Sequence, residues 1–373
     1  MAGMGNVLLW RLVGIFTFTG AVQKTGLDRR LAFAVLRYAR GRVRPLFFLI
    51  LMTSFMFVFL VPASMGRTAL MSTVALGLMS AMGLRQNSSL GKSIFIALPM
   101  VSLISSSTVI VGASVEIYAA GLFATMVGYN WTYISWLKVT FPIGFITAIL
   151  MYPVFMFLHP PEIEYLPGGQ AVLDEATREL GPMTGPEKKV LAIFAGLLAL
   201  WLLDISDSFP AELLAALLLM VPEVGVLTWK EASRAVNWGA IILFGSSLAL
   251  ARALQSSGLV ELGSRFVLQW VGGWPALGMA LVVFLLSTLV RLGVANMTAV
   301  AATLLPLVIT MAKSVGLNPV WLGMVCVVAT STGFFFPSQS PSSITTYALG
   351  YYTPRDMLRV GVVVSVLFMA VTL

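Results

Sequence analysis

Polar and charged side chains interrupt long apolar stretches of this chain at four places, residues 62–69, 105–116, 291–299 and 338–345. Their types are hydroxyls, amides, two arginines and one glutamate. Hydroxyl, amide and unwound backbone oxygens suit a small hard cation, whereas the free N–H groups at the start of a half-helix suit carboxylate or sulfate oxygens. The four interruptions are therefore candidate binding places for a small anion and a cation.

The candidate side chains fall into three sets. The anion-binding set contains Arg67, Thr68, Asn296, Thr298, Ser340 and Ser342. The cation-binding set contains Asn296, Thr298, Ser338, Gln339 and Ser343. The charged set contains Arg67, Glu116 and Arg291. An isolated hydroxyl in an apolar helix more often bonds its own backbone or a neighbouring helix, so a structural role is favoured for the serine run 105–107.

The composition predicts the surroundings of these side chains. Of the 373 residues, 58% are hydrophobic and only 10% are charged, and the mean hydropathy is +0.94. A soluble chain of this length needs more charge to cover its surface, so the sequence indicates an all-α polytopic protein of the cell membrane. A single cysteine and a single histidine exclude a disulfide framework and a cysteine–histidine metal cluster.

The net charge of +8 does not indicate a nucleic-acid partner. Six arginines crowd residues 29–44, directly after the first apolar stretch. Short basic loops mark the cytoplasmic side of a membrane protein, and this rule explains the cluster. Patterns typical of hydrolases, zinc peptidases and nucleotide-binding enzymes do not occur in the sequence, so we expect no enzyme activity and no cofactor.

A charge at mid-membrane costs several kcal/mol unless it is paired, so Arg67 and Glu116 are functional candidates by default. Two alternatives stay open. The first is that Arg67 and Glu116 pair with each other and have a structural role only. The second concerns Arg291, which would either line the entrance of the second predicted hairpin or extend its charge to the membrane surface.

The apolar stretches predict the organisation of the chain. Single spans or broken spans are expected at 5–23, 94–128, 138–158, 189–205, 209–227, 238–256, 320–350 and 355–373. The stretches 45–84 and 275–313 are too long for one span and carry polar residues near their middle, which predicts two re-entrant helical hairpins. The stretches 94–128 and 320–350 are expected to be two broken transmembrane helices.

An internal repeat organises these segments. Residues 20–36 match residues 250–268, with a glutamine, a glycine and a leucine in register. Each copy continues through a hairpin, a broken span and a final span, but the charge rule gives the copies opposite orientations. This pattern predicts an inverted-repeat secondary transporter with its site near the bilayer midplane.

Three parts follow from the repeat. Residues 1–158 are expected to form the first repeat, 159–188 a cytoplasmic linker and 189–373 the second repeat. The first repeat has nothing before residue 5 that corresponds to the two spans at the start of the second. We therefore expect the first repeat to lack N-terminal helices.

The second half resembles the divalent anion–sodium symporter family of the ion transporter superfamily, whose members carry dicarboxylates, citrate or sulfate. The stretch SQSPSSI stands where the family has a Thr-Pro-Pro-Asn type of turn, and Asn296, Met297 and Thr298 stand in place of a Ser-Asn-Thr hairpin tip. The resemblance adds Met297 to the cation-binding set and Pro341 to the anion-binding set. It also implies elevator-like alternating access and coupling to sodium, and it leaves open whether the protein forms a homodimer.

The first half departs from the family pattern. Gly66, Arg67 and Thr68 replace the Ser-Asn-Thr tip, and GASVE at 112–116 replaces the GTPPN loop. A guanidinium at this place supplies the positive charge of a sodium ion, which weakens or removes the first cation site. An anion exchanger, a proton-linked carrier and a symporter that uses the second site alone remain open.

The sequence therefore predicts a secondary active transporter of small anions, di- or tricarboxylate or sulfate-like, in contact with the lipid bilayer. Two alternatives remain. One is a truncated or degenerate carrier that acts as an accessory membrane subunit, and the other is a different permease of the same superfamily.

Overall fold

The computed structural model describes residues 7–81, 83, 84, 86, 88–168, 170–203, 211–239, 241, 242, 245, 246, 249, 253, 256–271 and 273–373. Within this part of the chain the regular structure is helical, as the sequence predicts. Most of the predicted span 238–256, the predicted turn 204–210 and the repeated glutamine Gln255 lie outside the described residues.

Seven helices occupy the first 158 residues of the described chain. They are α1 (Val7–Thr25), α2 (Leu27–Leu36), α3 (Val43–Met56), α4 (Ser64–Ala81), α5 (Ser89–Ser107), α6 (Ser114–Val127) and α7 (Tyr133–Leu158). The breaks between α3 and α4 and between α5 and α6 fall inside the two stretches for which the sequence predicts an interruption.

Ten further helices follow in the described part of the chain. They are α8 (Ala171–Glu179), α9 (Gly185–Leu202), α10 (Ala211–Met220), α11 (Trp229–Ala235), α12 (Leu259–Val271), α13 (Ala276–Gly293), α14 (Met297–Ser314), α15 (Pro319–Ala329), α16 (Pro341–Tyr347) and α17 (Pro354–Thr372). Short 3₁₀ turns occupy Arg37–Ala39 and Pro337–Gln339. The polar stretches 294–296 and 330–340 separate α13 from α14 and α15 from α16.

Length and composition allow four described helices to cross a membrane: α5, α7, α13 and α14. Several helix ends in the structure differ from those that the sequence predicts. Helix α7 begins at Tyr133, five residues before the predicted span, because Thr132 and Ser135 form a capping box. The predicted span 209–227 is a shorter helix, since the chain turns after Met220 and Gly225 takes a positive φ of 48°.

Corresponding places in the two halves have the same local structure. Gly26 and Gly258 adopt left-handed φ values of 73° and 74°, and a helix begins directly after each of them. Helix α17 begins with a Thr353–Asp356 capping box where α7 begins with its own capping box. The matched turns and caps give both halves the same order of helices from α2 and α12 onward.

Ion pairs join the first helices of the chain to the middle of the chain. Arg30 of α2 bonds Glu187 of α9 at 2.8 Å, and Lys24 of α1 bonds Glu231 of α11 at 2.7 Å. The hydrogen bond from Lys24, together with donors on Thr228, lowers the pKa of Glu231 to about 2. Glu231 therefore stays ionised at physiological pH, and α1 remains tied to α11.

Helix α5 lies at the centre of the molecule. The apolar window of α5 is 89% buried, whereas that of α7 is 28% buried, so α7 lies at the periphery. Helices α3, α4, α7 and α16 pack directly against α5. The C-terminal end of α5, which leads into the first break, is thereby enclosed by elements from both halves.

Gly361 allows α17 to approach the loop after α15. A Cβ atom at Gly361 would lie 2.1 Å from the backbone oxygen of Phe334. We therefore expect Gly361→Ala to destabilise the protein by about 1–3 kcal/mol, because the backbone contact cannot yield easily. Gly196→Ala in α9 is the matched control, since open space surrounds it, and it should be stabilising by about 0.5–1 kcal/mol. Thermal unfolding in detergent measures both changes, and equal midpoints would contradict the close packing.

Candidate functional site

The broken segments of the two halves contact each other crosswise. Ser342 of α16 donates a hydrogen bond to Ser64, the first residue of α4, at 3.3 Å. Ser114, the first residue of α6, and Thr298 in the first turn of α14 share a hydrogen bond of 2.9 Å. The start of α4 thus contacts the start of α16, and the start of α6 contacts the start of α14, so that four helix N-termini lie at these polar contacts.

Arg67 fastens the first hairpin tip to the end of α5. Its side chain is fully buried and donates through Nη1 to the carbonyl oxygens of Val61 (2.7 Å) and Pro62 (2.5 Å). Through Nη2 it donates to Ser102 O (2.5 Å) and to the hydroxyls of Ser105 (3.1 Å) and Ser106 (2.8 Å). Carbonyl and hydroxyl oxygens of this kind are the ligands of a small hard cation, and here a guanidinium holds them.

Two neighbours of Arg67 keep unused polar atoms. Glu116, in the first turn of α6, is fully buried, and neither of its carboxylate oxygens accepts a hydrogen bond from the described residues. Thr68 is also fully buried, and its hydroxyl makes no hydrogen bond within the described chain. Arg67 and Glu116 act on each other through space, and no direct hydrogen bond joins them.

Arg291 and Gln339 connect the second hairpin tip to the second broken span. Arg291 is fully buried and donates to Val294 O at 2.7 Å and to Gln339 O at 3.1 Å. Gln339 Nε2 returns a hydrogen bond to Arg291 O at 3.0 Å. Gln339 Oε1 accepts the backbone N–H groups of Phe335 (2.8 Å) and Phe336 (2.9 Å). Each half therefore has a buried guanidinium that joins its hairpin tip to its broken span.

The start of α16 is held by its own hydroxyls. Ser340 caps the helix by accepting Ser343 N at 3.0 Å, and its hydroxyl lies 2.8 Å from the Ser343 hydroxyl. The Tyr352 hydroxyl donates to Ser343 O at 3.1 Å and shares a hydrogen bond with Thr346. These contacts fix the hydroxyl groups of the second loop relative to the helix N-terminus.

The entire chain, residues 1–373, matches the family model described as the sodium:sulfate symporter transmembrane region. The chain belongs to the divalent anion–sodium symporter family. It is accordingly a transporter of small anions and a multi-pass protein of the plasma membrane, as the sequence predicts, and not an enzyme.

Relatives of this family member include proteins of two bacterial genera. A membrane protein of Cupriavidus necator is 27% identical over 382 residues, which cover 100% of the chain and 74% of the relative. A sodium-dependent dicarboxylate transporter of Staphylococcus saprophyticus is 24% identical over 403 residues, covering 99% of the chain and 76% of the relative. The corresponding transporter of Staphylococcus aureus strain USA300 is 25% identical over 72% of the chain and 55% of the relative.

The other predicted site residues of this family member are placed as follows. Asn296 caps α14 by accepting Ala299 N at 2.9 Å, and its side chain is exposed. Met297 is half-buried, and Ser338 and Pro341 are exposed. The buried members of the predicted sets, apart from Thr68 and Glu116, thus make hydrogen bonds at helix ends, and the exposed members lie beside them.

Several contacts were not visible in the sequence. Arg291 and Gln339 lie 48 residues apart, and nothing in their spacing indicates that they exchange hydrogen bonds. The serine run 105–107 favours local bonding, and its hydroxyls do bond carbonyls of α5, but those of Ser105 and Ser106 also accept Arg67. The only sign in the sequence that Ser105 and Ser106 accept hydrogen bonds from another helix was Arg67, a charged residue within an apolar stretch.

Proposed function

We propose that this chain is a secondary active carrier of a di- or tricarboxylate or a sulfate-like anion, working by elevator-type alternating access. The crossed contact of hairpin tips with broken spans is the observation that carries the proposal. It brings hydroxyl donors and the N-termini of α4, α6, α14 and α16 together in pairs, and such N-termini favour anions. The name of the staphylococcal relatives, a sodium-dependent dicarboxylate transporter, supports dicarboxylates as the first substrates to test.

The proposed binding residues follow from these pairs. The anion would contact Arg67, Thr68, Asn296, Thr298, Ser340, Pro341 and Ser342. A coupling cation would contact Asn296, Met297, Thr298, Ser338, Gln339 and Ser343, with Gln339 serving to hold the loop in place. In the first half the Arg67 guanidinium takes the carbonyl oxygens that a cation would need, so cation coupling there is weakened or lost.

The proposed mechanism treats 1–158 and 189–373 as inverted repeats with re-entrant hairpins, joined by the linker 159–188. The matched glycines and capping boxes of the two halves support the repeat. The ion pairs among α1, α2, α9 and α11 support a fixed scaffold, against which the segments α3–α7 and α13–α17 would move. A homodimer built through that scaffold belongs to the same proposal.

Counterflow in proteoliposomes tests the proposal. Purified protein is reconstituted with unlabelled succinate, citrate or sulfate inside, and uptake of the labelled anion is followed with sodium or choline outside. We expect counterflow of at least one dianion in both media, because the Arg67 guanidinium supplies one positive charge at the site even without sodium. Absence of counterflow for all three anions, with correctly inserted protein, would reject an anion carrier of this class.

Thr298 tests the contact between the halves. We expect Thr298→Val to lower transport about tenfold, because the shape is kept while the hydrogen bond to Ser114 and a hydroxyl at the site are lost. Thr298→Ser should retain transport. Thr303→Val is the matched control on the same helix, since its exposed hydroxyl bonds only its own turn at Ala299 O, and initial uptake rates compare the variants. Equal rates for Thr298→Val and Thr303→Val would remove Thr298 from the site.

A further inference from the structure

Glu116 is a buried carboxyl group that the contacts of the site leave unused. Its side chain has no exposed surface, and both carboxylate oxygens lack a hydrogen-bond donor among the described residues. A buried ionised carboxylate without donors is costly, so burial favours the protonated acid. Glu212 is also a buried glutamate, but it differs because its Oε1 accepts Trp201 Nε1 at 3.0 Å.

Opposing influences act on the ionised form of Glu116. The guanidinium of Arg67 attracts a negative charge on Glu116 without making a direct hydrogen bond to it. The position in the first turn of α6 adds the favourable end of the helix dipole. An ion that comes close to Glu116 therefore changes the balance between its charged and its protonated form.

Arg67 is the titratable group that acts on Glu116, and the other titratable groups on the elements that pack around α6 make their contacts elsewhere. Lys313 of α14 donates to Met126 O at the other end of α6, Cys326 of α15 contacts the Ser287 hydroxyl, Arg11 of α1 faces Glu212 at 4.0 Å, and Lys24 of α1 bonds Glu231. Arg67 in turn gives both terminal nitrogens to carbonyl and hydroxyl oxygens. The charge of Glu116 thus has no direct ion-pair partner in the described structure.

We propose that Glu116 binds and releases one proton in each transport cycle, so that the carrier couples the anion to a proton. The proposal deepens the proposed function and rests on it. Ser114, in the same helical turn as Glu116, belongs to the proposed anion site through its hydrogen bond to Thr298. An anion that arrives there repels the carboxylate and favours its protonation, and the reverse follows when the anion leaves.

The proton balance is simple. A proton from the medium forms an O–H bond on the Glu116 carboxylate when the anion binds, and the same proton returns to the medium on the other side when the anion is released. No bond of the anion is changed. By linkage, one proton carried with each anion gives about tenfold accumulation of the anion per unit of pH difference when the membrane potential is zero.

Proteoliposomes with an imposed pH difference test the proposal. Labelled succinate and labelled sulfate are the probes, and counterflow at equal pH is measured in parallel. We expect the wild-type protein to accumulate a probe when the outside is acidic. Glu116→Gln should keep counterflow and lose this accumulation, because the amide keeps the shape but cannot carry a proton. Glu116→Asp, which retains a carboxyl group, should keep the accumulation with a displaced pH midpoint.

Glu212→Gln is the matched control, since it replaces a buried glutamate that already has a donor and should leave the proton response unchanged. Proton-driven accumulation by Glu116→Gln at the wild-type level would overturn the proposal. Infrared difference spectroscopy provides a readout without transport: when sulfate, which has no carboxyl group, is added, a protonated carboxylic acid band should appear in wild type and in Glu212→Gln and not in Glu116→Gln. If counterflow fails for both probes, the proposed function fails, and this band still decides whether Glu116 holds a proton.

Discussion

Arg67→Asn is expected to abolish transport in sodium-free medium and to recover part of it when sodium is added. The substitution leaves the carbonyl oxygens of Val61, Pro62 and Ser102 without their donor and leaves Glu116 without its nearby positive charge. Removing one member of a buried charged group costs about 3–5 kcal/mol, which corresponds to a loss of about a hundredfold or more. Sodium can occupy the vacated space because carbonyl oxygens are its preferred ligands.

Thermal unfolding and uptake, each measured in sodium chloride and in choline chloride, check this expectation. Sodium should raise the unfolding midpoint of Arg67→Asn more than that of the wild type, because the substitution opens an additional place for the ion and bound ions stabilise by mass action. Arg44→Asn is the matched control, because Arg44 is exposed near the start of α3. Should wild-type uptake require two sodium ions while Arg67→Asn leaves uptake unchanged, the guanidinium does not replace a cation.

Gln339→Leu is expected to lower transport about a hundredfold while the protein still inserts into the membrane. Leucine fills a similar volume but removes the acceptor of the Phe335 and Phe336 N–H groups and the donor to Arg291 O. Each buried polar group left without a partner costs about 1–3 kcal/mol, so the loop after α15 would lose its defined path.

The exposed Gln269→Leu in α12 is the matched control for that substitution and should transport like wild type. Gln339→Glu separates the two functions of the amide, since a carboxylate still accepts the two N–H groups but cannot donate to Arg291 O. We expect intermediate transport, measured as initial uptake and as the unfolding midpoint. Wild-type transport by Gln339→Leu would show that the connection between Arg291 and the loop does not matter.

The apolar stretches and their polar interruptions were sufficient to predict the helices and most of the breaks. The break at 108–113 was predictable because a hydroxyl and a glycine interrupt a run that is otherwise long enough to span a membrane. The break at 57–63 lies earlier than the predicted interruption 62–69, because residues 57–61 are apolar and only Pro62 marks the turn, while 64–69 belong to α4. The length of α10 was not, because hydropathy alone does not reveal that the chain turns at Gly225 and returns Val226 N and Leu227 N to Leu219 O.

The candidate site was predictable as a set of residues and not as a set of contacts. Arg67 and Glu116 stood out because a charge is rare in an apolar stretch. The pairing of Ser114 with Thr298 joins residues 184 positions apart, and no local pattern encodes such a distance. Tyr352 was missed for a different reason, since a tyrosine at the end of an apolar run resembles any membrane-surface tyrosine.

The crosswise contact of the hairpins has a consequence for how such a protein can arise. Because Ser64 is met by Ser342 and Ser114 by Thr298, neither half of the chain completes its own polar ends. An ancestor of half this length would form the equivalent contacts only between two copies, inserted into the membrane in opposite orientations as the proposed inverted repeat requires. If the chain arose by duplication and fusion of such a half, the two copies have since diverged at their arginines, because Arg67 follows the break between α3 and α4 whereas Arg291 precedes the break between α13 and α14.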